Sequence, residues 1–300
     1  MIRPPALFLL VATSVLAAES GVRVTTDLAF LAPGRTEKLD VYLPVPPAAG
    51  KLSPAVVWIH GGGWTGGTKS EARAQEICTT LANAGYVALN IDYKLGQDAW
   101  PTNLHDCKNA VRFLRSHAAE YHVDPDRIGV AGGSAGGHLS LMVAFTAGVK
   151  ALEPDAPYPG VSSAVRCSID MYGISDLRTR REIEADGTVV DKFRPVGPVN
   201  VFGDASNAAV YRLASPVTHI AKNSPPVLIL HGDKDTTVDL RQSQDLAAAL
   251  AKAGVPHELV VVEGAGHTFD LETWNKKPLS RDLRPVALAF LEKHLAPRMK

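Results

Sequence analysis

Six short runs in this chain are apolar almost without interruption: AVVWIH (55–60), VALNIDY (87–93), RIGVAG (127–132), VRCSIDMYG (165–173), PVLILHG (226–232) and HELVVVEG (257–264). Side chains alternate across a strand, so a strand apolar at successive positions must be covered on both faces. Between the runs lie stretches at 70–84, 103–120, 135–147 and 241–253, and a last one at 283–295, that read as helices; in the second, Val111, Leu114 and Ala118 stack on one helix face. Strands buried on both sides and separated by helices predict an α/β fold with a parallel sheet between two helical layers. Two earlier runs, VRVTTDLAF from residue 22 and KLDVYLP from residue 38, read as an antiparallel hairpin that opens the sheet. At 300 residues and 46% hydrophobic composition the chain can bury such a sheet in one domain, and neither a repeat nor a low-complexity tract divides it.

Two segments depart from this rhythm. From Asp176 to Pro225 the chain is charged and rich in glycine and proline, as expected of a lid or substrate loop at 176–225. At the start, Arg3 precedes an apolar run from Ala6 to Ala18, with Val15 and Ala17 at the spacing that signal peptidase requires. The run is short of the roughly 20 apolar residues that span a bilayer. Residues 1–18 therefore read as a cleaved secretory signal and 19–300 as a single mature domain, secreted or periplasmic, with no membrane span after cleavage.

Charge and cysteines exclude several classes. Lys+Arg and Asp+Glu are both 31, so no net field attracts a polyanion, and nucleic acid is not an expected partner. The three cysteines, Cys78, Cys107 and Cys167, cannot all pair internally and match no zinc spacing. They read as buried small hydrophobes, with one bridge left open. No metal-ligand or phosphate-loop pattern occurs, so neither a metal nor a cofactor is expected.

The chemistry is concentrated where strands end. In RIGVAGGSAGGHL the serine falls where a strand turns abruptly into a helix, giving Gly132-Gly133-Ser134-Ala135-Gly136 the G-x-S-x-G form of a nucleophile elbow. Small residues at Gly132 and Gly136 let strand and helix pass, and the helix N-terminus adds partial positive charge beside the hydroxyl. Without that context the stretch would read as a flexible glycine-serine loop. His60-Gly61-Gly62-Gly63-Trp64 follows the AVVWI strand directly; it is either a tight turn or an oxyanion loop in which Gly62 or Gly63 joins the Ala135 amide. HGDKDTTV offers Asp233 and Asp235 after one strand, and VEGAGHTF offers His267 after the next. The order serine, aspartate, histidine suits a base that takes the serine proton while a carboxylate fixes its tautomer.

With HGGGW, IDYKL, DPDRIGVAGGSAGGHL, YGISDL, PPVLILHGDKDTTV and GAGHTF in place, the chain resembles the α/β-hydrolase superfamily. Within it the chain is similar to exported esterases of the bifunctional feruloyl and acetyl esterase type, near the hormone-sensitive-lipase-like group. The resemblance covers about Lys38 to His294. It implies a mostly parallel sheet with helices on both faces and a catalytic set of Ser134, Asp235 and His267, with Asp233 as a surface or capping carboxylate. It also implies a small-molecule or carbohydrate ester as substrate, acetyl or feruloyl esters above all. Two departures stand out: Lys94 replaces a common arginine, and the N-terminal cap helices of many hormone-sensitive-lipase relatives are missing, which argues against a pocket for long lipids. Trp64, beside the oxyanion loop, and Tyr172 are the candidates for substrate contact.

The remaining polar residues have structural readings: His60 braces its own loop, His138 packs a helix, Asp106 suits a helix dipole, and Asp92 and Asp170 hold loops at strand ends. The alternatives to an esterase are an amidase or peptidase of arylformamidase type on the same triad, and a non-catalytic binding domain on the same fold.

Overall fold

The computed structural model describes residues 16–17, 21–45, 52–184, 188–193, 200–204 and 206–297. Eight strands build the sheet: β1 (Val22–Leu28), β2 (Leu39–Pro44), β3 (Ser53–Ile59), β4 (Val87–Ile91), β5 (Val123–Gly133), β6 (Ser168–Met171), β7 (Val227–Gly232) and β8 (His257–Val262). The two-residue strand Leu16–Ala17 adds a ninth at the edge, and the spatial order from there is β1, β2, β4, β3, β5, β6, β7, β8. β1 and β2 are antiparallel, as are β2 and β4, and every later pairing is parallel. This is the mostly parallel α/β-hydrolase sheet with an N-terminal antiparallel hairpin. Of the segment read as a signal, Leu16 and Ala17 pair with Val24 and Arg23; the rest lies outside the described residues.

Alternate residues of each strand feed two cores. Val57 and Ile59 of β3 join one core with α2 (Thr102–Ser116), α3 (Ala135–Phe145) and α5 (Arg241–Ala253), while Val56 and Trp58 join the other with α1 (Ala72–Asn83) and α6 (Arg284–Leu295). Every residue of α3 is buried, which is why the helix after Ser134 lacks a polar face. Cys78, Cys107 and Cys167 are buried and unpaired.

The segment 176–225 is more structured than its composition suggests. It contains a small hairpin, Arg181–Ile183 against Val189–Phe193, then helix α4 (Ala208–Leu213), whose first turn is capped by the Asn207 side chain accepting from the Val210 amide. Val201, Phe202, Tyr211 and Ala214 are buried in the main core. Phe202 lies edge-on to Trp64 at 5.1 Å, so aromatic packing anchors this segment to the loop that follows β3.

Buried charges tie the outer layers together. Asp106, expected merely to complement a helix dipole, instead accepts two hydrogen bonds from the Arg35 guanidinium at 3.0 and 2.6 Å and one from the Lys94 amide at 2.9 Å. The same α2 carries Lys108 and Arg112, both paired with Glu153. A helix can bury such charges only when each is matched.

Candidate active site

Strand β5 delivers Ser134 and α3 leaves from it, so the serine takes the bend, with φ 57° and ψ −118°. A side chain rarely holds this conformation unless its surroundings impose it. Here they do: a Cβ on Gly132 would collide with the Gly136 carbonyl, and one on Gly136 with the Ile59 and His60 carbonyls. Both flanking glycines are therefore required by close backbone passage, as the elbow motif implies.

The Ser134 hydroxyl lies 2.9 Å from His267 Nε2, and His267 Nδ1 lies 2.7 Å from Asp235 Oδ2. Facing a carboxylate, Nδ1 carries the hydrogen, which leaves Nε2 to accept from the serine. Asp235 Oδ1 accepts from the Thr237 and Val238 amides at 2.8 and 2.9 Å. Burial pushes the Asp235 carboxyl up, but hydrogen bonds and charge from His231 and His267 hold it well below the usual carboxylate range. Asp233 is exposed and accepts from the Gly264 amide at 2.7 Å. It closes the turn before His267, and Asp235 is the carboxylate that meets the imidazole.

The loop after β3 lies against the elbow: a Cβ on Gly61 would sit 3.0 Å from the Gly133 carbonyl oxygen and 3.4 Å from Ser134 Cβ. Gly62 and Gly63 have φ of 108° and 61°, and the Gly62 carbonyl accepts from the Gly66 and Thr65 amides. The loop thus turns tightly on its own carbonyl. Among the described residues, the Gly62 and Gly63 amides make no backbone hydrogen bond outside helices and strands. Ala135 opens α3, in the first turn, where amides have no intrahelical acceptor. The Ala135 amide thus adjoins the serine, and the Gly62 and Gly63 amides belong to the loop that lies against it.

A cleft of about 300 Å³ opens over these groups, at the small end of ligand sites, with Ile174 and Val238 as apolar lining. Trp64 borders it but is only 1% exposed. Its indole N–H donates to His138 Nδ1 at 3.3 Å, and His138 Nε2 donates to the Ala214 carbonyl at 2.7 Å. Burial pulls His138 down to about 4 and keeps it neutral, so it serves as a packing bridge to the 176–225 segment. His60 likewise stays in its loop, donating from Nδ1 to the Gly61 carbonyl at 2.7 Å.

Tyr172, expected at the substrate, is placed behind the histidine instead. It does not line the cleft. It is 1% exposed, its ring meets His267 edge-on at 4.9 Å, and its hydroxyl donates to the Phe269 carbonyl at 2.7 Å. The Trp274 indole donates to the His267 carbonyl at 3.0 Å. Both aromatic residues hold the histidine loop. The role was hidden because the partner of its hydroxyl, Phe269, lies 97 positions away in the sequence.

The BD-FAE family model matches residues 39–250, which include Ser134 and Asp235. The chain belongs to this family. It is 30% identical over 250 residues to Esterase LipQ of Mycobacterium tuberculosis, an alignment covering 82% of this chain and 58% of LipQ. The chain spans just over half the length of the curated relatives it matches. Among solved structures, a truncated carbohydrate esterase from gut microbiota aligns at TM-score 0.78 and 26% identity, covering 93% of this chain and 99% of that one. Thermogutta terrifontis esterase 2 phosphorylated by paraoxon aligns at TM-score 0.71 and 28% identity, covering 93% and 96%.

In this BD-FAE chain His231 is a site residue that sequence reasoning missed. Its Nε2 lies 2.9 Å from the Val238 carbonyl and 3.3 Å from Asp235 Oδ2, and its Nδ1 lies 2.7 Å from Ser243 Oγ. The Nε2 hydrogen therefore faces two acceptors at once, one of them the triad carboxylate. The only signal was a histidine inside an apolar strand. Arg73, which lines the cleft, was missed for another reason: nothing in the local pattern of its helix marked it. Among the described residues no group of metal-binding side chains occurs.

Proposed function

We propose that this protein is a serine carboxylesterase that cleaves short acyl esters, acetyl or feruloyl groups on carbohydrate, through an acyl-enzyme. The observation that carries this is the unbroken contact from Ser134 Oγ through His267 to Asp235 Oδ2, at 2.9 and 2.7 Å. In the first half-reaction Ser134 Oγ bonds to the ester carbonyl carbon and its proton passes to His267 Nε2. The carbonyl oxygen becomes an oxyanion facing the Gly62, Gly63 and Ala135 amides. The carbon–oxygen bond to the alcohol then breaks as His267 returns the proton to the leaving oxygen. In the second half, water attacks the acyl carbon as it gives a proton to His267, and the bond from that carbon to Ser134 Oγ breaks as His267 returns the proton to Oγ, releasing the acid and restoring the serine hydroxyl.

The carbohydrate assignment draws support from the gut-microbiota carbohydrate esterase with which the chain aligns. An exported location rests on the sequence pattern of residues 1–18 alone. The deciding experiment measures nitrophenol from nitrophenyl acetate and acetate from acetylated xylan, against a nitroanilide of the same acyl group. An esterase releases the first two and leaves the anilide; preference for the anilide would establish the amidase, and no turnover a binding domain. Chelators should leave the rates unchanged.

A further inference from the structure

Two cationic side chains, Arg73 and Arg180, line the cleft above Ser134, and among the described residues no carboxylate does. Arg73 extends from α1, and its Nη1 donates to the Thr268 carbonyl at 3.1 Å and meets the Tyr172 hydroxyl at 3.3 Å. These contacts fix the guanidinium beside the residue that follows His267. Its Nε makes no hydrogen bond among the described residues, and the side chain is 23% exposed. Arg180 enters from the segment after β6. Gln242 donates to the Thr179 hydroxyl at 3.0 Å, which ties that segment to the start of α5, and Thr237 and Val238 share the lining with Arg180.

Arg73 thus stands on the acid–base side of the cleft, beside the residue that follows His267, and Arg180 shares the lining. This inference rests on the esterase reading, in which His267 protonates the leaving oxygen and so faces the alcohol half of the ester. The geometry points to an alcohol half that bears a carboxylate, as in acyl esters of oligosaccharides containing uronic acid. A guanidinium meets a carboxylate through parallel N–H···O bonds, and one already held in place loses little freedom on binding. Glu71 faces Arg73 Nη2 at 3.4 Å and offsets part of its charge. That pair is partly exposed, where such pairs are weak, and Glu71 does not line the cleft.

The test uses two acetyl esters that differ in one charge, 4-carboxyphenyl acetate and its methyl ester, 4-(methoxycarbonyl)phenyl acetate. kcat/KM is measured for both with the full chain and with Arg180→Gln and Arg73→Gln, at low salt and in about 0.5 M NaCl, where screening is strong. Because Arg73→Gln also loosens the contacts to Tyr172 and Thr268, the readout is the ratio of the two esters rather than either rate. The charged ester should be favoured by about tenfold through KM, as one charge-assisted contact supplies. Each substitution and added salt should move the ratio toward one. Equal kcat/KM for the two esters in the unmodified protein, or a preference untouched by both substitutions and by salt, overturns the inference while leaving the esterase reading intact. Failure to hydrolyse either ester overturns both.

Discussion

At the scale of single residues, the two aspartates of HGDKD differ in what they touch. Asp235 is buried against His267 and His231, whereas Asp233 is exposed and meets one backbone amide. Asp235→Asn presents an amide donor or a weaker acceptor to His267 Nδ1, so kcat on nitrophenyl acetate should fall by about 10³–10⁴-fold. Asp233→Asn keeps an acceptor for Gly264 and should stay within a few-fold of the parent. Steady-state kinetics on both variants check the ranking, and its reversal would move the acid to Asp233. The serine and the histidine were legible because each sits where an apolar strand stops. The choice of aspartate came from family resemblance, since spacing alone left both open. Tyr172 was not legible as a support of the triad, because its partner Phe269 lies 97 positions away; His231, four residues before Asp235, was not, because a histidine inside an apolar strand reads as core.

At the scale of elements, the strand ends store polar groups beneath the site. Asp170, near the end of β6, is fully buried; Oδ1 accepts from the Gly173 amide at 3.0 Å, while Oδ2 has no partner among the described residues. Burial pushes this carboxyl from 3.8 up to about 7. Between those values the folded state holds a proton that the unfolded state has released, so this group's contribution to stability falls as pH rises from about 4 to 7. By then the buried charge costs a few kcal/mol. Asp170→Asn removes the titration, so urea denaturation should show its stability relative to the parent improving from pH 4 to 7 and level above that. His138, pulled down to about 4, acts in the opposite sense, losing stability as pH falls below its unfolded value, but it is present in both proteins and cancels. A difference independent of pH would show that Asp170 does not hold its proton. Gly136→Ala places a methyl on the Ile59 carbonyl and should leave little soluble protein, as seen by expression and circular dichroism. Among the described residues, five of the six α-helices were legible to within a few residues, α4 being the exception. Their charged contacts, Asp106 with Arg35 among them, depend on residues brought together from 71 positions apart.

At the scale of the molecule, the sheet places every strand-end motif along one edge, and Phe202, in the segment 176–225, packs against Trp64 there. Composition could mark that segment as irregular but not show its hairpin or its anchoring, because aromatic packing between distant parts of the chain leaves no local pattern. The cleft it borders is about 300 Å³, at the small end of ligand sites, and its large apolar side chains are Trp64, Ile174 and Val238. An acyl chain gains about 0.8 kcal/mol per CH₂ only where it is buried. Nitrophenyl esters of two to four carbons should therefore exceed those of ten or more in kcat/KM, and faster decanoate turnover would require a longer apolar channel. Trp64, almost fully buried, should cost about 3–5 kcal/mol of stability when cut to alanine.

The central claim is that Ser134 becomes covalently bound to the acyl group, and a trapped adduct tests it most directly. Treatment with paraoxon followed by peptide mass mapping should place one diethylphosphoryl group per chain on Ser134, with activity lost in proportion to labelling and no label on Ser134→Ala. A label on any other residue, or full labelling of Ser134 with esterase activity retained, would contradict it.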